Sequence, residues 1–334
     1  MKKTYYLFNP GRLSRKDNTL KFEPVNEEGV KGQPRYLPVE TVGQLFVFGS
    51  LDANSALYSF LGKQQVSVHF FDYYEHYTGS FYPKEYLQAG QLQVKQTEHY
   101  LGNYKRQVIA RKLVEGAAAN MLRNLKYYQS RGKEVTSQID GIIQLAEQVA
   151  KTEDVPTLMG IEGNIRQVYY TGFDEIITDF TMGGRSRQPP KNEINALISF
   201  GNMLCYTACL DQLYHTQLNP TISYLHEPGA RRFSLALDLA EIFKPILVDR
   251  TLFKLLNKKV LQAKDFDEKV NGIVLKEGGK KKLVREWEDR LKETIKHRAL
   301  KKNVSYKHLI KLECHKLVKH LMGIQTYEPF KAWW

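Results

Sequence analysis

A chain of 334 residues is too long for one ordinary hydrophobic core and implies two domains. Its composition, 42% hydrophobic, 12% aromatic and 25% charged, excludes a disordered chain, no apolar run reaches the roughly 18 residues of a membrane span, and the apolar run after the two N-terminal lysines is too short for a secretory signal. The net charge of +13 calls for a polyanionic partner, and it is uneven: about +1 over residues 1–90 against about +11 over residues 251–320.

In chain order, residues 1–83 read as a small β domain. Tyr5-Tyr-Leu-Phe8, Leu20-Lys-Phe22, Gln44-Leu-Phe-Val-Phe48, Val66-Ser-Val-His-Phe-Phe71 and Tyr77-Thr-Gly-Ser-Phe-Tyr82 are β-branched or aromatic runs separated by turn residues. One short helix interrupts them over 52–61, begun by Asp52 or Asn54. Residues 84–96 read as a linker. From 97 onward the apolar spacing becomes helical, with helices expected over 97–131, 136–150, 157–180, 190–216, 232–260 and 284–322. A hairpin is expected among them, with Ile273-Val-Leu275 and Lys282-Leu-Val284 as its arms and Val270-Asn-Gly-Ile273 and Glu277-Gly-Gly-Lys280 as turn signals. The fold class is therefore α+β: a small N-terminal β domain and a larger α-helical domain over 97–334, which holds most of the basic excess.

Glu162, His226 and Glu241 are candidate ligands of one metal site. Carboxylate oxygens with a single imidazole and no cysteine suit Mg²⁺ or Mn²⁺, and on a basic chain such an ion serves chemistry on a phosphodiester. Asp238 and Glu241 are three apart in Leu235-Ala-Leu-Asp-Leu-Ala-Glu-Ile-Phe243, so they share a helical face. A solvated acidic stripe is the plain alternative, but the surrounding residues are almost wholly apolar, which favours a cleft where the acids need a cation. Glu162 stands between Gly160 and Gly163, where close approach of a substrate or a neighbouring backbone would account for glycines inside a helix; two tolerated glycines beside a surface glutamate are the alternative. His226, in the loop before Glu227-Pro-Gly229, reads as a ligand, a general acid or a histidine bonded to backbone. Arg185, Arg187, Arg231 and Arg232 are candidate phosphate contacts through bidentate guanidinium geometry, with ordinary surface arginine as the alternative. Three cysteines fit free thiols in a reducing, cytoplasmic compartment; Cys205 and Cys209, four apart, would offer soft ligands only with a second pair that the chain lacks.

Gly160-Ile-Glu-Gly163, Pro189-Pro-Lys-Asn-Glu-Ile-Asn-Ala-Leu-Ile-Ser-Phe-Gly201, Leu225-His-Glu-Pro-Gly229, Ser234-Leu-Ala-Leu-Asp-Leu-Ala-Glu-Ile-Phe-Lys-Pro245 and Tyr327-Glu-Pro-Phe-Lys-Ala-Trp-Trp334, in this order, resemble the Cas1 family of CRISPR-associated endonucleases and integrases. Leu37-Pro-Val-Glu-Thr-Val-Gly-Gln-Leu-Phe-Val-Phe-Gly49 extends the likeness to the N-terminal part, and the C-terminal ending resembles the type I-B branch in particular. The resemblance implies a metal-dependent DNA endonuclease and integrase that inserts spacer DNA into a CRISPR array. It also implies a homodimer, assembly with the small partner protein Cas2, and double-stranded DNA with 3′-hydroxyl ends and CRISPR repeat DNA as substrates. By position, Glu162, His226 and Glu241 match the family's metal ligands. Asp238 matches an acidic neighbour that orients a ligand or binds a second ion. Two departures are visible: Pro189-Pro-Lys-Asn-Glu-Ile-Asn195 where relatives often read Pro-Pro-x-Asp-Pro-Val-Asn, and Glu241 where some branches carry aspartate. The first affects local loop geometry; the second keeps an oxygen ligand. The rival readings are a non-catalytic DNA-binding scaffold with a structural acidic cluster and a phosphohydrolase of small nucleotides, which the extended basic surface suits less well.

Overall fold

The computed structural model describes residues 2–26, 29–72, 74–83, 89–187, 189–229, 233–269 and 272–333. Its residues fall into two compact units, Met1–Gln88 and Ala89–Trp334.

The first unit is built on two four-stranded sheets. One has the order β1 (Lys3–Leu7), β5 (Val42–Val47), β7 (Ser67–Phe71), β8 (Tyr77–Phe81); the other runs β4 (Arg35–Pro38), β3 (Thr19–Pro24), β2 (Gly11–Lys16), β6 (Leu51–Asp52). β5 is parallel to both neighbours, and its buried run Leu45, Phe46 and Val47 is what a strand covered on both faces requires. β2 and β3 instead alternate, turning Leu13, Leu20 and Phe22 inward. Between β6 and β7, α1 (Ser55–Lys63) starts where the Asn54 side chain accepts the Leu57 amide at 2.9 Å, and it packs Leu57, Phe60 and Leu61 into the same core. β2, β4 and β6 were not legible in the sequence, because their exposed positions are Arg, Lys, Tyr, Pro and Asp, and in β4 and β6 no side chain is fully buried.

The second unit is helical. α2 (Gly90–Leu101) occupies part of the stretch expected as a linker, which is a correction; Leu92 and Gln96 bury one face of it, and the Gln96 amide donates to the carbonyls of Asn219 and Ile222 at 2.8 and 3.0 Å. Residues 84–88 of that stretch lie outside the described residues. Then come α3 (Asn103–Gln129), α4 (Thr136–Val149), α5 (Val155–Thr171), the single turn α6 (Phe173–Ile176) and α7 (Glu193–Tyr214). α5 begins two residues before the expected position, since Asp154 caps Thr157 N at 2.7 Å and Pro156 fits the first turn.

The helix expected over 232–260 is divided into α8 (Ser234–Lys244), a π-helical turn (Pro245–Asp249) and α9 (Arg250–Asn257). Pro245 has no amide hydrogen for the carbonyl four residues back, so the regular ladder breaks there. Side chains bond the carbonyls around the break: Asn120 donates to Ile242 O at 2.9 Å, Asn124 to Pro245 O at 2.6 Å and Arg290 Nε to Ile246 O at 3.2 Å. Gly201 of α7 lets Val248 sit against the helix backbone; a Cβ there would lie 2.5 Å from Val248 Cγ1.

The hairpin differs from expectation. β10 (Gly272–Leu275) pairs antiparallel with β9 (Phe266–Lys269), while Lys282–Val284 lies within α10 (Glu277–Lys292), where Leu283, Val284, Trp287 and Leu291 are buried at helical spacing. Residues 270 and 271 of the turn lie outside the described residues. The helix expected over 284–322 is likewise cut in two by β11 (Thr294–Lys296) and β12 (Asn303–Ser305) before α11 (Tyr306–Leu321), because Ile295 and Val304 pair across a hairpin. After α11 the chain stays packed: Tyr327 is buried and donates to Glu313 Oε1 at 2.7 Å, and Ala332 N donates to Asn120 Oδ1 at 2.8 Å. No helix among the described residues is long and apolar enough to cross a membrane.

Candidate functional site

Asp238 organises the site. Fully buried on α8, it accepts four hydrogen bonds: Tyr224 N at 2.7 Å and Leu225 N at 3.0 Å on Oδ2, His226 N at 2.9 Å and His226 Nδ1 at 2.8 Å on Oδ1. The loop it ties down is held from the other side by Arg106 of α3, which donates to Tyr224 O at 2.9 Å and pairs with Glu227. A carboxylate can only accept, so Nδ1 carries the proton, and in the neutral ring Nε2 presents its lone pair. With both oxygens committed, Asp238 orients His226 and has no ligating capacity left for a second ion. Burial acts to lower the imidazole pKa, but the carboxylates of Asp238 and Glu241 outweigh it and hold His226 above its ordinary value.

Glu162 and Glu241 come together from α5 and α8, and what joins them is Arg166. Its Nε and one terminal nitrogen donate to Glu162 Oε1 at 2.9 and 2.7 Å, and the same nitrogen donates to Glu241 Oε2. Lys244 Nζ lies 2.5 Å from Glu241 Oε1. Burial would raise the Glu241 pKa, yet the guanidinium of Arg166 and the ammonium of Lys244 hold that carboxyl well below the usual carboxylate range. One turn beyond α8, Asp249 is fully buried, its Oδ2 has no hydrogen-bond partner among the described residues, and burial pushes its pKa up to about 7 against the opposing pull of Arg166, Tyr169 and Lys244. Arg166, Lys244 and Asp249 were missed in the sequence. For Arg166 the available signal was its position four residues after Glu162 on the same helix, a spacing at which Glu and Arg meet.

The chemistry of Glu162, Glu241 and the His226 Nε2 suits a hard divalent cation, with the second imidazole nitrogen anchored to a carboxylate as such ligands are. Their side chains do not stand as a ready-made cluster. Among the described residues no three His, Cys, Asp or Glu side chains are grouped to hold a metal ion, and the space between the two glutamates is filled by the Arg166 guanidinium.

Gly160 and Gly163 flank Glu162 on an open face, where a Cβ would meet nothing within 4 Å, so close approach of a neighbouring backbone is not their reason. Arg185 is largely internal: it donates to Asn195 Oδ1 at 2.9 Å and Ser199 Oγ at 3.1 Å, pinning its loop to the start of α7. Burial lowers its pKa, as do the neighbouring charges of Arg187 and Arg166. Arg187 is exposed; Arg231 and Arg232 lie outside the described residues. Cys205, Cys209 and Cys314 are free and fully buried, and burial pushes the Cys209 and Cys314 thiols up, the opposite of what a soft-metal site needs.

Comparison with known proteins shows matches over the whole chain. The family model described as CRISPR associated protein Cas1 matches residues 5–289. The CRISPR-associated endonuclease Cas1 2 of Moorella thermoacetica is 47% identical over 332 residues, covering 99% of this chain and 100% of that one. Among solved structures, a Cas1 protein from Thermotoga maritima superposes with a TM-score of 0.86 at 42% identity, over 97% of this chain and 98% of that chain. A casposase bound to integration product shares the fold, with a TM-score of 0.87 at 20% identity over 99% of this chain and 93% of that one.

Proposed function

The chain belongs to the CRISPR-associated Cas1 family, and we propose that it works as a divalent-metal-dependent DNA endonuclease and integrase of spacer acquisition, with Glu162, His226 and Glu241 as the metal ligands. The observation that carries the site assignment is the buried junction of α5, α8 and the 224–227 loop, where two glutamates meet and an imidazole is fixed by Asp238 through Nδ1, its Nε2 bonding no described residue. A bound Mg²⁺ or Mn²⁺ supplies Lewis-acid polarisation of a phosphoryl oxygen and stabilises charge on attacking and leaving oxygens. Asp238 keeps the proton on Nδ1 and so holds the ring in the ligating tautomer. Arg187, with Arg231 and Arg232, supplies the phosphate contacts on this reading, whereas Arg185, spent on Asn195 and Ser199, holds their loop in place; the basic helices after residue 276 carry the remaining DNA track. A scaffold role for the acidic cluster would rest on its ion pairs alone; kinship with enzymes named endonucleases speaks against it.

The substrates on this reading are double-stranded DNA with 3′-hydroxyl ends and CRISPR repeat DNA. The N-terminal β unit serves dimerisation and contact with Cas2 on this reading, and the likeness of the ending Tyr327–Trp334 to type I-B relatives supports a type I-B-like system. The deciding experiment is strand transfer into a repeat-containing plasmid by the purified protein with Cas2. Chelation should abolish it, and His226→Ala should lose it while still binding DNA and melting cooperatively. A fully active His226→Ala would refute the assigned site.

A further inference from the structure

Two glutamates, 12% and 7% exposed, share one guanidinium that is itself 10% exposed. Arginine stays charged in any protein environment, so it acts there as a fixed cation, and Lys244 adds a second on Glu241. Two carboxylates, one guanidinium and one ammonium sum to zero. Buried charges are tolerable when paired in this way, and a divalent ion added to an already neutral cluster would leave two positive charges uncompensated in a poorly solvated place. Sterically the conflict is the same, because the terminal nitrogen of Arg166 bonds both glutamates and stands where a shared cation would bridge them.

We propose that Arg166 is an internal competitor for the metal: its guanidinium bridges Glu162 and Glu241, a divalent cation binds these carboxylates only as that bridge opens, and Arg166 thereby sets the metal affinity of the site. This rests on the metal-site reading above. Arg166 is then neither a ligand nor a support that preorganises the ligands, and the two roles predict opposite signs. If Arg166 supports the glutamates, removing it loosens them and weakens metal binding. If it competes, removing it leaves two buried carboxylates seeking a cation and tightens binding.

The test is Mn²⁺ binding by calorimetry to the full-length protein without DNA, for the unaltered chain, Arg166→Gln, Arg166→Lys and His226→Ala. Arg166→Gln should bind Mn²⁺ at least about tenfold more tightly, since a unit positive charge beside the ion is removed from a weakly screened site. It should also gain more in melting temperature on Mn²⁺ addition than the unaltered chain does. Arg166→Lys, which keeps the charge, should stay within about threefold of the unaltered chain. A folded Arg166→Gln that binds Mn²⁺ equally or more weakly overturns the proposal. A second measurement needs no Gln variant: the Arg166 Nε–Hε resonance, assigned by its loss in Arg166→Lys, should shift and lose protection from exchange as Mg²⁺ saturates, and an unmoved resonance at saturation also overturns it. If the unaltered chain has no Mn²⁺ binding that His226→Ala weakens, the metal-site reading itself falls and this proposal with it. If His226-dependent binding is present but unmoved by Arg166→Gln, the proposal alone fails.

Discussion

Replacing Asp238 with Asn keeps the side-chain shape and exchanges one of two fully used acceptors for a donor. Two orientations are open to the amide. With its oxygen toward His226, the NH₂ confronts Tyr224 N and Leu225 N, stranding two donors on fully buried residues at about 1–3 kcal/mol each. With its oxygen toward Tyr224 and Leu225, only the His226 backbone amide is stranded, because the imidazole can move its proton to Nε2 and accept from the amide at Nδ1. The second arrangement costs about 1–3 kcal/mol in all and is the one expected. For a unit the size of Ala89–Trp334 that is roughly 2–12 °C in melting temperature. It also puts a proton on the nitrogen that a cation needs, so Mn²⁺ affinity should fall about 10- to 100-fold, as for other losses of ligand-orienting partners. Calorimetric melting, Mn²⁺ titration and long-range ¹⁵N correlation of the His226 ring read the three consequences together. An Asp238→Asn protein that melts as the parent does, keeps its proton on Nδ1 and binds Mn²⁺ unchanged would refute the reasoning.

Asp249 gives a pH dependence whose sign is fixed by burial. Its folded pKa of about 7 lies above the ordinary 3.8, so its contribution to stability is complete below 3.8 and is lost as pH rises through about 7. A shift of about three units is worth up to about 4 kcal/mol, so melting temperature should fall between pH 4 and 8 and Asp249→Asn should flatten that fall; an unflattened profile would count against a buried, protonated Asp249. Gly201→Ala should lower the melting temperature, because pressing a Cβ to 2.5 Å from Val248 costs about 1–3 kcal/mol and outweighs the up to about 1 kcal/mol alanine gains in a helix. DNA affinity should fall steeply with salt, and neutralising Arg231 and Arg232 together should reduce the slope of log affinity against log salt by about 2; an unchanged slope moves the DNA track to the basic helices after residue 276.

The elements legible in the sequence are those whose signal is local. The runs that became β1, β3, β5, β7 and β8 are dense in aromatic and β-branched residues, and the Asn54 cap announced α1. Helical spacing alone could not show where helices stop. Pro245 opens a π turn inside one continuous apolar stretch, and the break is tolerated because Asn120, Asn124 and Arg290, distant in sequence, bond the carbonyls around it. In the same way Leu283 and Val284 read as a hairpin arm beside Gly278 and Gly279, whereas Trp287 and Leu291 complete a helical face over a longer window.

The site divides along the same line. Asp238 and Glu241 were legible because acids inside an apolar helix must be held by something, and Glu162 because glycines flank it. What holds the acids was not legible, since Glu162 and Arg166 four apart on α5 read as an ordinary helical ion pair, and only the arrival of Glu241, seventy-five residues after Arg166, makes the pair a buried junction. The roles of the two acids on α8 were hidden for the same reason. Spacing puts Asp238 and Glu241 on one face and makes them look alike; the structure gives one to backbone amides and an imidazole, and the other to Arg166 and Lys244. The distinction has chemical weight. A carboxylate saturated by four donors is fixed in place and can only position, whereas one held by cationic side chains can exchange those partners for an ion. On that ground Glu241 is the ligand and Asp238 the support, an ordering that separate Mn²⁺ titrations of Glu241→Gln and Asp238→Asn would test: excess metal should partly restore strand transfer to the Asp238 variant and not to the Glu241 variant.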